Sequence, residues 1–561
     1  MPVTQAPDDI DVLILGAGIN GAGLFRDLCE QGLRVVIVDK GDFGSGTSAA
    51  PSRLIHGGIK YLETGELRLV AQSTLERNLL LRNAPHAVKP LPTVIPIFSW
   101  LTGIGAALRT LAGSTTAPRS RGALLIKIGL ALYDFYGARQ RVMPKHALWS
   151  KRRALSEIPP LTSRIVAAGT YYDAIVSHPE RLVLELVQDG LKARVGSEAF
   201  TYAELTGSDG ETVHFQLPDG SKRGFRPKIV VNAAGPWIDT VNARLGAPSW
   251  LIGGTKGSHI LLDHPELLKA LNGRMIYFEA DDGRICLVYD YLGRALVGST
   301  DIRADDPDEV RCGDDEIAYF LESLRGLLPK LSFDRSQIVY AYSGIRPLPA
   351  SGGTAPGLIS RDHSAPVMEP DENRTWPIIS LVGGKWTTFR GFAEEVADLV
   401  LSRLGSERRI GTRDLPIGGG RDFPVGEAAR ACWLEQATGT TGATRERAEI
   451  LLARYGTTAF AILEHEARHP APSLADAPDY TLAEIDWLMR NERVVHLADV
   501  VMRRTALAVT GRLSGRDLDS IAECAAIALG WDGARRRREV EATRAELLVR
   551  HRLALDVSTA V

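Results

Sequence analysis

The chain has 561 residues, of which 45% are hydrophobic and 24% charged, and its formal net charge is −2. That length suggests more than one domain, and the near-neutral charge gives no bulk field that would recruit nucleic acid. The five cysteines are scattered without a C-x-x-C pair, which fits a reduced cytosolic chain and argues against a metal or iron–sulfur site built from thiolates. The polar, acidic first ten residues show no signal peptide.

The first informative unit, residues 11–48, predicts a dinucleotide site. A short apolar run before Gly16 predicts a buried parallel strand, a helical pattern follows, and a second apolar run ends in Asp39. In the G-x-G-x-x-G motif, Gly16 permits the tight turn, Gly18 lets the backbone approach a pyrophosphate, and Gly21 lets helix and strand pack closely. The helix N-terminus offers N–H groups to the phosphates, and Asp39 would accept the ribose hydroxyl hydrogen bonds.

Residues 44–62, GSGTSAAPSRLIHGGIKYL, extend the predicted site. A glycine pair in this stretch lets the backbone approach a flat group, and a histidine and a lysine flank that pair. The hydroxyl side chains that can donate to phosphate and ring oxygens are Ser45, Thr47, Ser48 and Ser52. The alternative interpretation is a polar loop with a hairpin glycine pair.

From here the chain resembles the flavin-dependent glycerol-3-phosphate dehydrogenases, FAD enzymes of the D-amino-acid-oxidase-like group. The stretch TSAAPSRLIHGGIKYLE (47–63) carries the first part of the resemblance. Further family-like stretches follow in family order: KIGLALYD (127–134), NAAGPW (232–237), KGSHI (256–260), GSTD (298–301), YSGIRPL (342–348), SRD (360–362), GGKWTTFRGFA (383–393) and MRRTALA (502–508). The resemblance therefore covers nearly the whole chain.

The resemblance implies an α/β fold: a Rossmann-like, D-amino-acid-oxidase-like FAD-binding domain with an inserted antiparallel-sheet substrate domain and a C-terminal helical domain. We expect the FAD-binding domain over 1–410, with substrate-binding segments interleaved at about 60–160 and 250–345. A glycine- and proline-rich linker at 411–424 then leads to a helical domain over 425–561. The basic run 535–538 lies in a charged helical stretch, where a solvated face is favoured over a lipid or nucleic-acid patch.

The chemistry of a flavin dehydrogenase requires a base for the hydroxyl proton and a clamp that places the carbon near the flavin. His259 matches the family's active-site histidine; the alternative is a histidine that is merely satisfied within a β-sheet. Arg346 and Arg361 match the substrate-site arginines, and Arg346 is also predicted to act in catalysis. Lys60 stands where the family usually has arginine, which keeps the charge but loses the bidentate fork. Tyr61 follows it as a further expected substrate contact.

The residues expected to bind FAD lie in the glycine turns, in the hydroxyl-rich loop or at the strand ends of the nucleotide domain. They are Gly16, Gly18, Asn20, Gly21, Asp39, Ser45, Thr47, Ser48, His56, Gly57, Gly58, Ala199, Ala234, Gly235, Gly384, Lys385, Thr387 and Thr388.

The function that this resemblance implies is oxidation of sn-glycerol 3-phosphate to dihydroxyacetone phosphate by hydride transfer to FAD, with electrons passed to membrane quinone. Alternatives are a dehydrogenase of a related polyol phosphate such as a tetritol phosphate, which Lys60 leaves open, and an oxygen-using oxidase. A non-catalytic flavoprotein module would have no reason to keep the histidine and arginine motifs. The family branch with an iron–sulfur partner carries extra C-terminal cysteines, and this chain has only Cys432 and Cys524 there.

Residues 90–112 contain a segment that suits a membrane surface. Three prolines rule out a straight spanning helix in the first part, whereas 99–112 predicts a short apolar helix that carries Trp100 next to basic residues. The alternative is a core helix or a dimer contact, and a homodimer is left open. With the family's membrane association, the expected location is cytoplasmic, on the inner face of the cell membrane.

Overall fold

A computed structural model describes residues 7–58, 66–100, 129–131, 143–304, 306–350 and 362–556. The strands are β1 Asp8–Leu15, β2 Val35–Val38, β3 Leu54–Ile55, β4 Val88–Ile97, β5 Ala147–Ser150, β6 Ala167–Val176, β7 Glu198–Phe200, β8 Glu204–Ser208, β9 Val213–Gln216, β10 Lys222–Asn232, β11 Ile252–Leu262, β12 Met275–Glu279, β13 Ile285–Tyr291, β14 Arg294–Gly298, β15 Ile302–Arg303, β16 Ile338–Pro349, β17 Val367–Met368 and β18 Ile378–Ser380. The helices are α1 Ile19–Glu30, α2 Leu67–Asn83, α3 Lys151–Glu157, α4 Pro179–Ala193, α5 Ile238–Arg244, α6 Pro265–Leu271, α7 Asp314–Leu327, α8 Phe389–Arg403, α9 Glu427–Thr441, α10 Arg445–Tyr455, α11 Ala459–Arg468, α12 Leu482–Asn491, α13 Leu497–Asp499, α14 Gly515–Leu529 and α15 Gly533–His551.

The predicted strand–helix–strand unit is confirmed as β1, α1 and β2. β1 runs parallel to β2 on one side and to β10 on the other, with Val12 opposite both Val35 and Ile229. All four residues of β2 are buried. Because both faces of this sheet are covered, the strands consist of continuous apolar runs instead of alternating ones.

The first sheet has the order β17-β18-β10-β1-β2-β7, with the hairpin β8–β9 attached to β10. Helices α1, α4 and α8 share one apolar core with it, and buried side chains of all three belong to the same cluster. Gly23 of α1 makes this packing close, since a Cβ there would lie 2.7 Å from the Phe389 ring of α8. The glycine turns before α1 and α8 therefore come to the same edge of the sheet.

The second sheet has the order β15-β11-β14-β13-β12-β4-β6-β3, with β16 paired to β11 and β5 to β6. Its pairs are antiparallel except β12–β4. The inserted antiparallel sheet expected at 250–345 is thus present, and strands from the earlier segment extend it. The prolines of β4 fall at alternate positions (90, 92 and 96), so the strand loses amide donors toward one neighbour only.

Two helices, α6 and α7, interrupt the region that the sequence pattern presented as short β-rich runs and turns. Helix α7 begins with the acidic residues Asp314, Asp315 and Glu316, which favour a helix N-terminus. Its apolar side chains then recur at helical spacing, and Phe320 and Leu324 are fully buried against the sheet.

The C-terminal part is helical from α9 to α15, as predicted, and one π-helical turn, Val500–Arg504, follows α13. Its core is continuous with buried residues of the second sheet, including Leu261, Tyr289 and Tyr340. Among the described helices, none combines the length and apolar character needed to cross a bilayer.

Candidate active site

The G-x-G-x-x-G turn is built by two close backbone approaches, at Gly16 and Gly21. Gly16 has a φ of +106°, and a Cβ there would lie 2.6 Å from the carbonyl oxygen of Ala233. A Cβ on Gly21 would lie 2.0 Å from the carbonyl oxygen of Gly16. Gly18 has less crowding, with Ser48 Oγ at 3.1 Å from its ideal Cβ position. Side chains at Gly16 and Gly21 would therefore break the turn that opens α1.

Asp39 lies at the end of β2, next to this turn. Its two carboxyl oxygens accept hydrogen bonds from the backbone amides of Ala17 at 2.6 Å and Gly41 at 2.9 Å. Burial raises the pKa of Asp39 to about 6, although the two amides act in the opposite direction. The side chain also lines the adjoining cavity, so its oxygens are positioned to accept further hydrogen bonds from a ligand.

A cavity of about 1120 Å³ is lined by both this turn and the glycine turn before α8. Ordinary ligand pockets reach about 1,000 Å³, so the cavity suits a large ligand such as a dinucleotide. The predicted cofactor residues that line it are Gly16, Gly18, Asn20, Asp39, Ser45, Thr47, Ser48, Ala234, Gly235, Gly384 and Lys385.

The remaining predicted cofactor residues are not among the described residues that line the cavity. Gly21 packs against backbone, and Gly57 donates its amide to Asp173 Oδ1 at 3.0 Å. The others are His56, Gly58, Ala199, Thr387 and Thr388. His56 to Gly58 follow β3, Ala199 is buried within β7, and the threonines are buried at the start of α8.

The part of the cavity where the two glycine turns meet fits a bound cofactor through an unsatisfied polar atom. Gly383 and Gly384 both have positive φ, and a Cβ on Gly384 would lie 2.7 Å from Asn20 Nδ2. Within the described part of the chain, the buried atom Asn20 Oδ1 has no hydrogen-bond partner, and Asn20 lines the cavity. A buried polar atom is normally paired, so Asn20 Oδ1 is suited to a polar ligand.

His259 lies on β11 in the second sheet and is almost completely buried, with 1% of its surface exposed. Its Nε2 is 2.8 Å from Ser52 Oγ, and its ring stacks on Tyr342 at a centroid distance of 4.8 Å. Its Nδ1 is buried and has no partner among the described residues. Burial lowers the pKa of His259 well below its ordinary value, and the cations Arg346 and Arg53 lower it further. The imidazole is therefore neutral near pH 7, and Nε2 is its engaged ring nitrogen.

Arg346 lies on β16, which pairs with β11 along its whole length and places Arg346 opposite Thr255. Its guanidinium contacts the turn that follows β14: Nη1 donates to Asp301 Oδ1 at 3.0 Å, and Nη2 donates to Ser299 Oγ at 3.1 Å. Both terminal nitrogens also donate to the carbonyl oxygen of Thr300. These bonds hold the guanidinium in one orientation, which favours recognition of an anion at a fixed place.

Two motif glycines make room for these side chains. A Cβ on Gly298 would lie 2.1 Å from His259 Cδ2, and a Cβ on Gly257 would lie 2.3 Å from Arg346 Nη2. The glycines of the KGSHI and GSTD stretches therefore allow the imidazole and the guanidinium to lie against backbone.

A buried carboxylate, Glu316 at the start of α7, ties together the elements that carry His259 and Arg346. It accepts hydrogen bonds from Ser258 Oγ at 2.7 Å, Thr300 Oγ1 at 2.6 Å and Lys256 Nζ at 2.7 Å. Burial alone would raise the pKa of Glu316, but the Gly313 amide, the lysine and the hydroxyls outweigh burial and lower it. The group is thus an ionised anchor between β11 and the 298–301 turn.

We expect Glu316→Gln to lower kcat/KM by about tenfold or more. The neutral amide keeps one acceptor oxygen instead of two, so the two hydroxyl donors and Lys256 cannot all keep their acceptors. Steady-state kinetics would measure the change, with Asp315→Asn, an exposed acid in the same first turn, as control. Equal kinetics in the two variants would show that Glu316 does not position the site.

Three predicted substrate residues, Lys60, Tyr61 and Arg361, lie outside the described residues. Sequence reasoning also missed three contacts. Ser52 was assigned to phosphate or ring oxygens but is hydrogen-bonded to His259, and Asp301 and Tyr342 had no assigned role. The signal for the last two was their place in the GSTD and YSGIRPL stretches.

Two known family models together match most of the chain. Residues 11–399 match the family model described as FAD dependent oxidoreductase, and residues 410–536 match the C-terminal domain of alpha-glycerophosphate oxidase. A glycerol-3-phosphate dehydrogenase from Synechocystis is 33% identical over 93% of both chains. A D-erythritol 1-phosphate dehydrogenase from Brucella abortus is 31% identical over 74% of this chain and 78% of the relative.

The fold is also that of a solved flavoprotein. The structure of a glycerol-3-phosphate dehydrogenase from Bacillus halodurans complexed with FAD superposes with a TM-score of 0.74, covering 99% of this chain and 96% of that one at 21% identity. The predicted family and fold class are confirmed, and the cofactor is FAD.

Proposed function

Since the chain belongs to the FAD-dependent oxidoreductases that include the glycerol-3-phosphate dehydrogenases, we propose that it oxidises sn-glycerol 3-phosphate to dihydroxyacetone phosphate and passes the electrons to membrane quinone. The observation that carries the proposal is the pairing of β11 with β16, which brings a neutral buried histidine and a fixed arginine to one sheet. A base and an anion clamp are what oxidation of a phosphorylated secondary alcohol requires.

Bound FAD supplies a flavin ring that accepts hydride from the alcohol carbon. His259, held by Ser52 at Nε2, accepts the hydroxyl proton at Nδ1. Arg346 holds the phosphate in one orientation, because its own bonds to the 299–301 turn fix the guanidinium. Lys60, Tyr61 and Arg361 are proposed to complete the phosphate site, and the glycine turns are proposed to exclude water from the cofactor by close backbone packing.

A second candidate substrate is a tetritol phosphate. The Brucella relative is named for D-erythritol 1-phosphate, and Lys60 replaces the arginine fork expected in the glycerol-phosphate enzymes. Anaerobic titration of the oxidised enzyme separates the candidates: sn-glycerol 3-phosphate should bleach the flavin at lower concentration than D-erythritol 1-phosphate. The reverse order would assign the tetritol substrate, and no bleaching by any polyol phosphate would leave the chain outside this enzyme class.

Electron transfer to oxygen is the remaining alternative, and the match of the C-terminal part to an alpha-glycerophosphate oxidase domain is the observation that favours it. Reoxidation of the reduced flavin should be much faster with a soluble quinone analogue than with dissolved oxygen. Stoichiometric hydrogen peroxide at the same rate would instead assign an oxidase.

The membrane proposal concerns residues 99–112. Trp100 is 56% exposed and lies close in sequence to the exposed Phe98, whereas residues 101–112 lie outside the described residues. Polar replacements of Trp100, Leu101 and Leu108 should release the protein from anionic vesicles and slow quinone reduction, while activity with a soluble dye survives.

A matched control for this experiment is Trp250, which is 72% exposed in a different part of the chain. Its replacement by a polar residue should leave vesicle binding unchanged. If the 99–112 variant still co-sediments with vesicles like the control, the segment is a core or oligomer contact.

A further inference from the structure

The C-terminal helical part contributes a wall of the cofactor cavity. The residues involved come from α13, α15 and the π-helical turn: Ala498, Met502, Arg503, Glu539, Glu546 and Arg550. They lie outside the dinucleotide-binding unit, and two of them belong to the MRRTALA stretch, for which the sequence pattern predicts no chemical role. π-helical turns often occur at functional sites.

Asp42 joins this wall to the loop that presents Asp39. Its carboxylate is fully buried and accepts hydrogen bonds from Arg503 Nε at 2.7 Å and from Arg504 Nη1 and Nη2 at 2.6 and 2.9 Å. Burial alone would raise the pKa of Asp42, but the two guanidinium groups outweigh burial and lower it. Charge-assisted and bidentate bonds of this kind are among the strongest in proteins. The loop that follows β2 is thus fixed from the C-terminal side.

Tyr202 provides a second connection at the same place. Its backbone amide donates to the carbonyl oxygen of Gly41 at 3.0 Å, and its hydroxyl donates to Asp499 Oδ1 at 2.5 Å. Asp499 also accepts from Arg503 Nη2 at 2.5 Å. Tyr202 lines the cavity and meets the ring of His496 edge-on at 4.5 Å. The loop, the tyrosine and the C-terminal turn therefore form one hydrogen-bonded unit.

Arg503 has a donor edge left for a ligand. Its Nε and Nη2 are used by Asp42, Asp499 and Tyr202. Among the described residues, none accepts a hydrogen bond from Nη1, and the side chain lines the cavity. A guanidinium held on one side and facing a cavity on the other is suited to the oxygen atoms of a phosphate or ribose.

We propose that Arg503 is an FAD-binding residue and that the C-terminal helical part closes the adenosine end of the cofactor cavity. The adenosine end is assigned because Arg503 is bound to Asp42, on the same loop as Asp39, the acid positioned for the ribose. FAD is then held by both parts of the chain, and docking of the C-terminal helices is coupled to cofactor retention. The inference rests on FAD as the cofactor and does not depend on the proposed substrate.

The test is FAD affinity of the full-length apoprotein, measured by quenching of flavin fluorescence, with ADP as a probe of the adenosine end in calorimetry. In Arg503→Met, Arg504 still pairs with Asp42, and Asp499 loses this cation but keeps the Tyr202 hydroxyl and the Val495 amide as donors. We expect FAD and ADP to bind about 10- to 100-fold more weakly. The milder variant Arg503→Lys should weaken both ligands less, because it keeps the charge and loses the fork.

The matched control is Glu466→Gln, which breaks the pair of Arg447 with Glu466 in the same helical part, away from the cavity. It should lower the unfolding temperature without changing affinity for FAD or ADP. Affinities of Arg503→Met and Arg503→Lys equal to the wild type would overturn the proposal. So would an equal loss of affinity in Glu466→Gln, since retention would then follow general stability. Substrate turnover is not read in this experiment, so failure here is separate from failure of the proposed function.

Discussion

Replacing His259 with alanine is expected to slow reduction of the bound flavin at least about a hundredfold, while the variant keeps its FAD and still binds substrate. Hydride leaves the alcohol carbon as the hydroxyl proton leaves, so a neutral imidazole at hydrogen-bond distance lowers the barrier. One ring nitrogen of His259, Nε2, is hydrogen-bonded to Ser52. The other, Nδ1, is buried and has no partner among the described residues. Anaerobic stopped-flow mixing with substrate measures the flavin reduction rate directly.

The control for this variant is His264→Ala, which removes another buried histidine of the substrate part that hydrogen-bonds the carbonyl oxygen of Ser332. It should cost stability and leave the reduction rate unchanged. If His259→Ala reduces its flavin as fast as His264→Ala, the base lies elsewhere.

The pH dependence gives an independent check on His259. Its pKa is lowered well below the ordinary histidine value, first by burial and then by Arg346 and Arg53. The imidazole is therefore the competent neutral form through neutral pH, and reduction in the wild type should fall only in the acid range below the ordinary histidine pKa. His259→Ala should lose that acid limb.

The parts of the fold that could be predicted are those whose sequence patterns are local. The unit of β1, the glycine turn, α1 and β2 was predicted correctly because strand, turn and helix periods all lie within one short stretch. Helix α7 was missed because its apolar positions, such as Phe320 and Leu324, follow directly on β-rich runs that suggested more sheet.

The contacts of the site were less predictable than its motifs. His259 and Arg346 were proposed from family stretches, but their neighbours depend on the register of β11 against β16 and on a loop 207 residues away that supplies Ser52. The contact of Arg503 with Asp42 spans 461 residues. A single sequence carries no local pattern for such pairs, since burial and charge compensation decide them only when the chain is folded.

Arg346→Ala is expected to lower kcat/KM by about 10- to 150-fold, because a charge-assisted hydrogen bond to the substrate phosphate contributes about 1.5–3 kcal/mol. FAD content should stay unchanged, since Arg346 is not among the described residues that line the cofactor cavity. Arg346→Lys should recover only part of the loss, because the ammonium group cannot reproduce the planar fork that is fixed by Asp301 and the Thr300 carbonyl. Steady-state kinetics with sn-glycerol 3-phosphate measures both variants.

The same Arg346→Ala variant should also move the acid limb of flavin reduction toward higher pH. Arg346 disfavours the imidazolium form of His259, so its removal raises the histidine pKa, by less than the shift that burial causes. Arg294→Ala is the matched control: this arginine of β14 pairs with Asp263 and the carbonyl oxygen of Thr510, and it has no role in the proposed site. Kinetics and a pH profile for Arg346→Ala that match those of Arg294→Ala would remove Arg346 from substrate binding and leave the phosphate to Lys60 and Arg361.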